Sequence, residues 1–147
     1  MRKTFVMRGQ TASGETEVLN FGKYKQGYAY RLTEFQLYPS EPNNNYELNG
    51  TLTAGKTAVA PTTDINFNND GLIATSWLAA SSNNYYAHGP VTVINDTYII
   101  TQNLILMVQT ALGSDPINWQ CRFESVKMTA AEEAAVNFKQ FTISDGS

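Results

Sequence analysis

The sequence has little of several residue types on which particular functions depend. Among its 147 residues there is one cysteine, Cys121, and one histidine, His88. A single cysteine cannot form an internal disulfide, so we expect a domain made in a reducing cytoplasm and not a small disulfide framework. Structural zinc sites take four histidine or cysteine ligands, and two such residues cannot supply them.

Charged residues are also scarce, and no apolar run is long. Asp, Glu, Lys and Arg make up 16% of the chain, and the net charge is -3. Direct binding to nucleic acid is not expected, because it needs clustered cations that displace phosphate counterions. The longest apolar run, Leu104 to Val108, is far shorter than the ~20 residues of a membrane-spanning helix. At the start of the chain, Phe5, Val6 and Met7 precede Arg8, which indicates a first strand and not a signal peptide.

What the sequence does contain is typical of an all-β protein. Aromatic residues make up 12%, and short apolar or alternating runs end repeatedly at Gly, Asn, Asp, Ser or Pro. Strict alternation from Ile117 to Ser125 predicts a strand that buries Trp119, Cys121 and Phe123. Gaps between strands are too short for helical crossovers, which favours antiparallel pairing. We predict one antiparallel β-sandwich domain covering residues 1–147, jelly-roll-like, with roughly eight or nine strands and one short C-terminal helix.

Several local patterns predict how the chain bends. In the long strand 28–38 the apolar residues change face near Thr33 and Glu34, which indicates a β-bulge or a bend. The segments Asn49-Gly50-Thr51 and Asn95-Asp96-Thr97 are interpreted as turns, and residues 97–101 as a strand. Residues 54–71 are expected to form a long surface excursion.

The C-terminal helix is predicted from a capping box formed by Thr129 and Glu132. Its apolar positions share one stripe, which we expect to pack on a sheet or on a neighbouring molecule. They are Ala131, Ala134, Ala135, Phe138 and Phe141.

Residues that could carry chemistry are few. His88 would have to serve any catalytic triad alone, Cys121 is predicted to be buried, and no G-x-S-x-G elbow or glycine-rich phosphate loop occurs. Paired carboxylates for glycoside hydrolysis remain open, because such pairs come from distant residues, but nothing favours them. We therefore expect no catalytic residues, no cofactor and no enzyme activity.

A calcium site is a weaker alternative in the loop before Gly71. Asp64, Asn66, Asn68 and Asp70 present oxygen-bearing side chains at alternate positions, as hard cations prefer. The spacing to the glycine departs from the EF-hand pattern, so an Asn-rich turn is the favoured interpretation and no metal is predicted.

Aromatic side chains offer a choice between two binding roles. They could stack on sugar rings as a glycan platform, or they could belong to the core or to a protein interface, which we favour. The candidates are Tyr24, Tyr28, Tyr30, Trp77, Tyr85 and Tyr86. The segment from Tyr85 to Pro90, which contains His88, is predicted to be an exposed contact loop.

Four stretches follow one another in a characteristic order over most of the chain. They are Met1-Arg2-Lys3-Thr4-Phe5, Arg31-Leu32-Thr33-Glu34-Phe35 with Tyr38-Pro39-Ser40, Asn69-Asp70-Gly71-Leu72-Ile73-Ala74, and Phe123-Glu124-Ser125-Val126-Lys127-Met128-Thr129. This order of features resembles a family, the small all-β virion proteins of tailed bacteriophages, particularly marine ones, several of which are capsid cement or decoration proteins.

The resemblance implies a non-enzymatic protein on the outer surface of an icosahedral phage head, assembled in the host cytoplasm. Its partners would be the major capsid protein and further copies of itself, as a trimer or dimer. The residues predicted to face partners lie near both termini and in the contact loop. They are Arg2, Lys3, Phe5, Tyr85, Tyr86, His88, Phe138 and Phe141. The alternatives are another virion component, such as a head-tail or fibre-base protein, and a carbohydrate-binding β-sandwich module.

Overall fold

The computed structural model describes residues 3–21, 28–55, 57–62, 64–81, 86–132 and 134–135. These residues form eight strands and the beginning of one short helix. The strands are β1 (Thr4–Thr11), β2 (Thr16–Leu19), β3 (Tyr28–Pro39), β4 (Tyr46–Ala54), β5 (Leu72–Ser81), β6 (Tyr86–Ile94), β7 (Leu104–Leu112) and β8 (Ile117–Lys127). They make a three-stranded sheet, β1-β8-β3, and a five-stranded sheet, β2-β7-β4-β5-β6, in which all these pairs are antiparallel. The predicted all-β antiparallel sandwich is confirmed.

Strands from the two ends of the chain pair with each other. β1 pairs with β8, β2 with β7 and β4 with β5, whereas β6 extends the five-stranded sheet beyond β5. The predicted strand over residues 97–101 is wrong, because these residues make only an isolated bridge to β3. There Tyr30 and Ile100 exchange two backbone hydrogen bonds of 2.9 and 2.7 Å. The finer jelly-roll description stays a prediction.

The core lies between the two sheets. From β8 it takes the side chains predicted by alternation, with Cys121 and Phe123 fully buried and Trp119 nearly so. The predicted bulge in β3 is confirmed, because the pairing register with β8 shifts between Leu32 and Glu34. The shift lets both Leu32 and Phe35 face the core although three positions separate them.

Of the two predicted turns, one is confirmed and one is wrong. Asn95 begins a turn in which the Tyr98 amide donates to the Asn95 carbonyl over 3.3 Å. Gly50, in contrast, lies within β4, where a Cβ atom would come within 3.1 Å of Leu37 and 3.2 Å of Phe35 on the facing sheet. A glycine inside a strand here permits close approach of the sheets and does not end the strand.

Residues 55–71 cover part of the outer face of the five-stranded sheet, as far as they are described. The hydroxyl of Thr51 donates to the Val59 carbonyl over 2.6 Å, and the Val59 amide donates to the hydroxyl of Thr53 over 3.2 Å. Both threonines are buried even though they point away from the core. The long surface excursion is therefore attached to the sheet through hydroxyl groups.

The predicted capping box is confirmed at the start of the C-terminal helix. The Thr129 amide donates to the Glu132 carboxylate, and the Glu132 amide donates to the Thr129 hydroxyl, both over 3.2 Å. Residues 130–132 and 134–135 are helical. Ala131, Ala134 and Ala135 are exposed, so these positions do not pack on the sandwich.

Candidate protein interface

Most of the charged residues that lie in strands belong to the three-stranded sheet. Their charged residues are Arg8, Arg31, Glu34, Arg122, Glu124 and Lys127. Two cross-strand ion pairs join β3 to β8, one between Arg31 and Glu124 at 3.2 Å and one between Arg122 and Glu34 at 3.4 Å. Partly exposed pairs of this kind add little stability, but they keep this face compatible with water.

The strands of the five-stranded sheet carry two charged residues, Glu17 and Glu47, and β5, β6 and β7 have none. Between Asp70 and Asp96 the sequence contains no Asp, Glu, Lys or Arg at all. The Glu47 carboxylate accepts a hydrogen bond of 3.2 Å from the indole N–H of Trp77. Depletion of charge with retention of aromatic residues is the compositional signal of a protein interface core.

Exposed apolar side chains mark both edges of this charge-poor face. Val18, on β2, is 62% exposed, and on β6 Val91 is 57% and Val93 is 46% exposed. Phe67, in the covering segment, is 66% exposed and lines a shallow groove of about 190 Å³ together with Val93 and Ile73. We call Phe67, Val91 and Val93 the β6 apolar patch.

His88 lies on β6, within a strand and not in the predicted contact loop. Its side chain is exposed, and its ring lies 5.1 Å from the indole of Trp77 at an angle of 38°. The two rings and the Glu47 carboxylate therefore form one small cluster on the outer face of the five-stranded sheet. The backbone of Tyr86 begins β6, while its side chain lies outside the described part.

The N-terminal candidates are divided between a surface and a packed position. Lys3 is exposed, and its carbonyl accepts a hydrogen bond of 2.8 Å from the Ser125 amide. Phe5 is half-buried, with its ring centroid 5.5 Å from those of both Tyr30 and Phe123. Phe5 thus fills an aromatic cluster of its own chain, and its contact with a partner stays a prediction.

The other candidates, Arg2, Tyr85, Phe138 and Phe141, lie outside the described residues. The β6 apolar patch was not predicted from sequence. A signal for it was present, because the uncharged stretch from Gly71 to Asn95 can be read directly from the chain. That signal does not say which side chains point outward.

The cysteine and the Asn-rich turn, which were considered as a nucleophile and as a calcium site, have structural roles. Burial raises the pKa of the Cys121 thiol, which disfavours the reactive thiolate. In the predicted turn, the side-chain oxygen of Asn66 accepts the Asn68 amide and that of Asn69 accepts the Gly71 amide, each over 2.9 Å. In the described part of the chain, no three His, Cys, Asp or Glu residues are placed to hold a metal ion.

None of the described helical residues forms a segment with the length and apolarity to span a membrane. No protein-family model matches the chain, and no curated protein matches its sequence.

Proposed function

We propose that this chain is a non-enzymatic capsid cement protein that binds the outer surface of a tailed-phage head and stabilises contacts between capsid subunits. The phage assignment rests on the sequence resemblance. The binding role is supported by one structural observation, the charge-poor outer face of the five-stranded sheet with apolar side chains exposed at its edges.

The distribution of charge favours one orientation on the shell. The five-stranded sheet would face the capsid, where burial of mostly uncharged side chains costs little ion desolvation. The Glu47 carboxylate on this face already accepts a hydrogen bond from Trp77. The three-stranded sheet, with its Arg31–Glu124 and Arg122–Glu34 pairs, would face solvent. Each contact can be modest, because a protein that bridges several subunits makes its later contacts at high effective concentration.

The proposal is tested on purified intact heads. We expect the chain in many copies per head, and we expect heads stripped of it to regain thermal stability when the protein is added back. Recovery at a single vertex would favour the head-tail or fibre-base alternative. Absence of the chain from heads would refute the proposal.

A matched pair of variants tests the orientation. Val18→Glu places a charge on the outer face of the five-stranded sheet, and Gln36→Glu places one at an exposed position of the three-stranded sheet. We expect the first variant to lose binding to heads and the second to retain it. Equal binding by both variants would contradict the orientation.

A carbohydrate-binding module is the second candidate, because Trp77 lies half-exposed on a sheet face beside polar groups. Asn49 lies opposite it on β4, and Glu47 and His88 contact it. Aromatic rings in such settings stack on sugars. Saturable binding on a glycan array that is lost in Trp77→Ala and kept in Tyr38→Ala, an exposed aromatic on the other sheet, would establish this role.

A further inference from the structure

β6 is an open edge of the five-stranded sheet without a charged side chain, and its outward-facing residues from Val91 to Ile94 follow Pro90 and the register shift against β5. Charged side chains are one of the features, with proline and β-bulges, that keep an edge strand from pairing with another chain. The other strands that lie last in their sheets each have one or more charged residues, including Arg8 on β1, Glu17 on β2 and Glu34 on β3. β6 has none, and among the described residues no strand pairs with its outer side.

The backbone of β6 presents unused hydrogen-bonding groups along this edge. The Asn95 amide donates to the Ile73 carbonyl of β5 over 2.8 Å. Backbone N–H and C=O groups alternate in direction along an antiparallel strand. Those of Val91 and Val93 therefore also point toward β5, whereas those of Thr92 and Ile94 point outward. The backbone of Pro90 also faces outward. Its lack of an N–H therefore removes no hydrogen bond between β5 and β6.

We propose that β6 pairs antiparallel with β6 of a second copy of this chain, about a twofold axis that passes beside Thr92. In this register Thr92 lies opposite Thr92 of the other copy, and Ile94 lies opposite Pro90. Each outward N–H then has a carbonyl opposite it, from Thr92 to Thr92 and from Ile94 to Pro90. Because Pro90 has no N–H, the Ile94 carbonyl of each copy stays unpaired. Every outward N–H has an acceptor.

The side chains on the outer face favour the same register. Val91 of one copy lies opposite Val93 of the other, so both exposed valines of each chain are covered at once. If the twofold axis passed beside Val93, the outward N–H groups of Thr92 and Ile94 would also find carbonyl acceptors. Val91 would then lie opposite Asn95. The valine pairs therefore select the Thr92 axis. The groove lined by Phe67 and Val93 lies beside these pairs.

This pairing goes beyond the proposed function, because it requires no capsid. The two partners would use different parts of one face, the β6 edge for a second copy and the remaining outer face, toward Val18, for the shell. The combined assembly is a continuous ten-stranded sheet made from two five-stranded sheets.

The full-length chain is tested by sedimentation over a dilution series. We expect a monomer–dimer equilibrium in the wild type. In Val91→Lys/Val93→Lys, like charges lie opposite one another and the valine contacts are lost, so we expect dimerisation roughly a hundredfold weaker or more. Val18→Lys, the same change at the far edge of the sheet, should dimerise as the wild type does.

A charge-complementary variant tests the register itself. In Val91→Lys/Val93→Glu, each lysine lies opposite a glutamate of the second copy about the Thr92 axis, so we expect dimerisation to recover and to weaken with added salt. About the Val93 axis, glutamate would oppose glutamate and the dimer would not recover. Circular dichroism confirms that each variant is folded, which is expected because both positions are exposed.

Several outcomes would overturn the proposal. They are a wild type that is monomeric at every concentration, a trimer, a dimer indifferent to Val91→Lys/Val93→Lys, and failure of the charge-complementary variant. Binding to heads is measured separately, so loss of the dimer with retained head binding would refute the pairing alone.

Discussion

The close approach of the two sheets at Gly50 makes a sharp prediction about stability. In Gly50→Ala the new Cβ would lie 3.1 Å from both methyl groups of Leu37 and 3.2 Å from the ring of Phe35. Both neighbours are almost fully buried, so neither can move into open space. Gly89→Ala is a matched control on β6, because no atom lies within 4 Å of its new Cβ.

The expected change in the free energy of unfolding has two contributions, one from packing in the core and one from the unfolded chain. Overpacking a well-filled core costs about 1–3 kcal/mol. Each glycine-to-alanine change also restricts the unfolded chain, which favours folding by about 0.4–1 kcal/mol in both variants. The difference between the two variants therefore isolates the packing cost of about 1–3 kcal/mol. For a domain of this size, each kcal/mol lowers the melting temperature by about 2–4 °C.

The assay is urea unfolding of both variants, together with a double-mutant cycle. Leu37→Val removes a methylene group from the contact, so the cost of Gly50→Ala should be smaller in the Leu37→Val background than in the wild type. If Gly50→Ala and Gly89→Ala proved equally stable, or if the two changes at positions 37 and 50 were additive, the proposed contact between the sheets would be refuted.

Three further predictions concern buried polar groups. Burial, and secondarily the nearby charge of Asp70, raises the pKa of Tyr98 from 10.0 to about 12, which favours the protonated phenol in the folded state. The stability that this shift contributes is fully present below pH 10 and is lost as pH rises toward 12. Unfolding curves at alkaline pH should therefore show a smaller loss of stability in Tyr98→Phe than in the wild type. Equal losses of stability would contradict the raised pKa of Tyr98. Cys121, fully buried with a raised pKa, should react with an alkylating reagent at the rate of global unfolding, and rapid labelling of the native protein would place it elsewhere. In Thr11→Val the buried indole N–H of Trp119 loses its acceptor at 3.0 Å, which should cost about 1–3 kcal/mol in urea unfolding, whereas an unchanged midpoint would show that this hydrogen bond contributes nothing.

Much of the fold could be predicted because one periodicity decides it. In β8 the alternation of apolar and polar residues identifies the inward set, and in β3 the change of phase near Thr33 identifies the bulge. The segment 97–101 was harder, because Ile100 is buried by a single bridge to Tyr30 and not by a ladder. Asn49-Gly50 has the composition of a turn, and only the facing Leu37 shows why glycine is needed there.

The face of β6 could not be predicted from the same rule, and the reason bears on the interface. Alternation along a strand places Val91 and Val93 on one face of the sheet and Thr92 on the other. From polarity alone, the valines would be expected to face the core. The structure does the reverse, because Thr92 lies opposite Ser76 on the inner side and their hydroxyl groups meet at 2.8 Å. This hydrogen bond removes the cost of placing the two hydroxyls inside, so the register with β5 is tolerated. The valines are left in water on an edge without charge, and departures from pattern of this kind concentrate at functional sites. Pairing with a second copy would cover these valines.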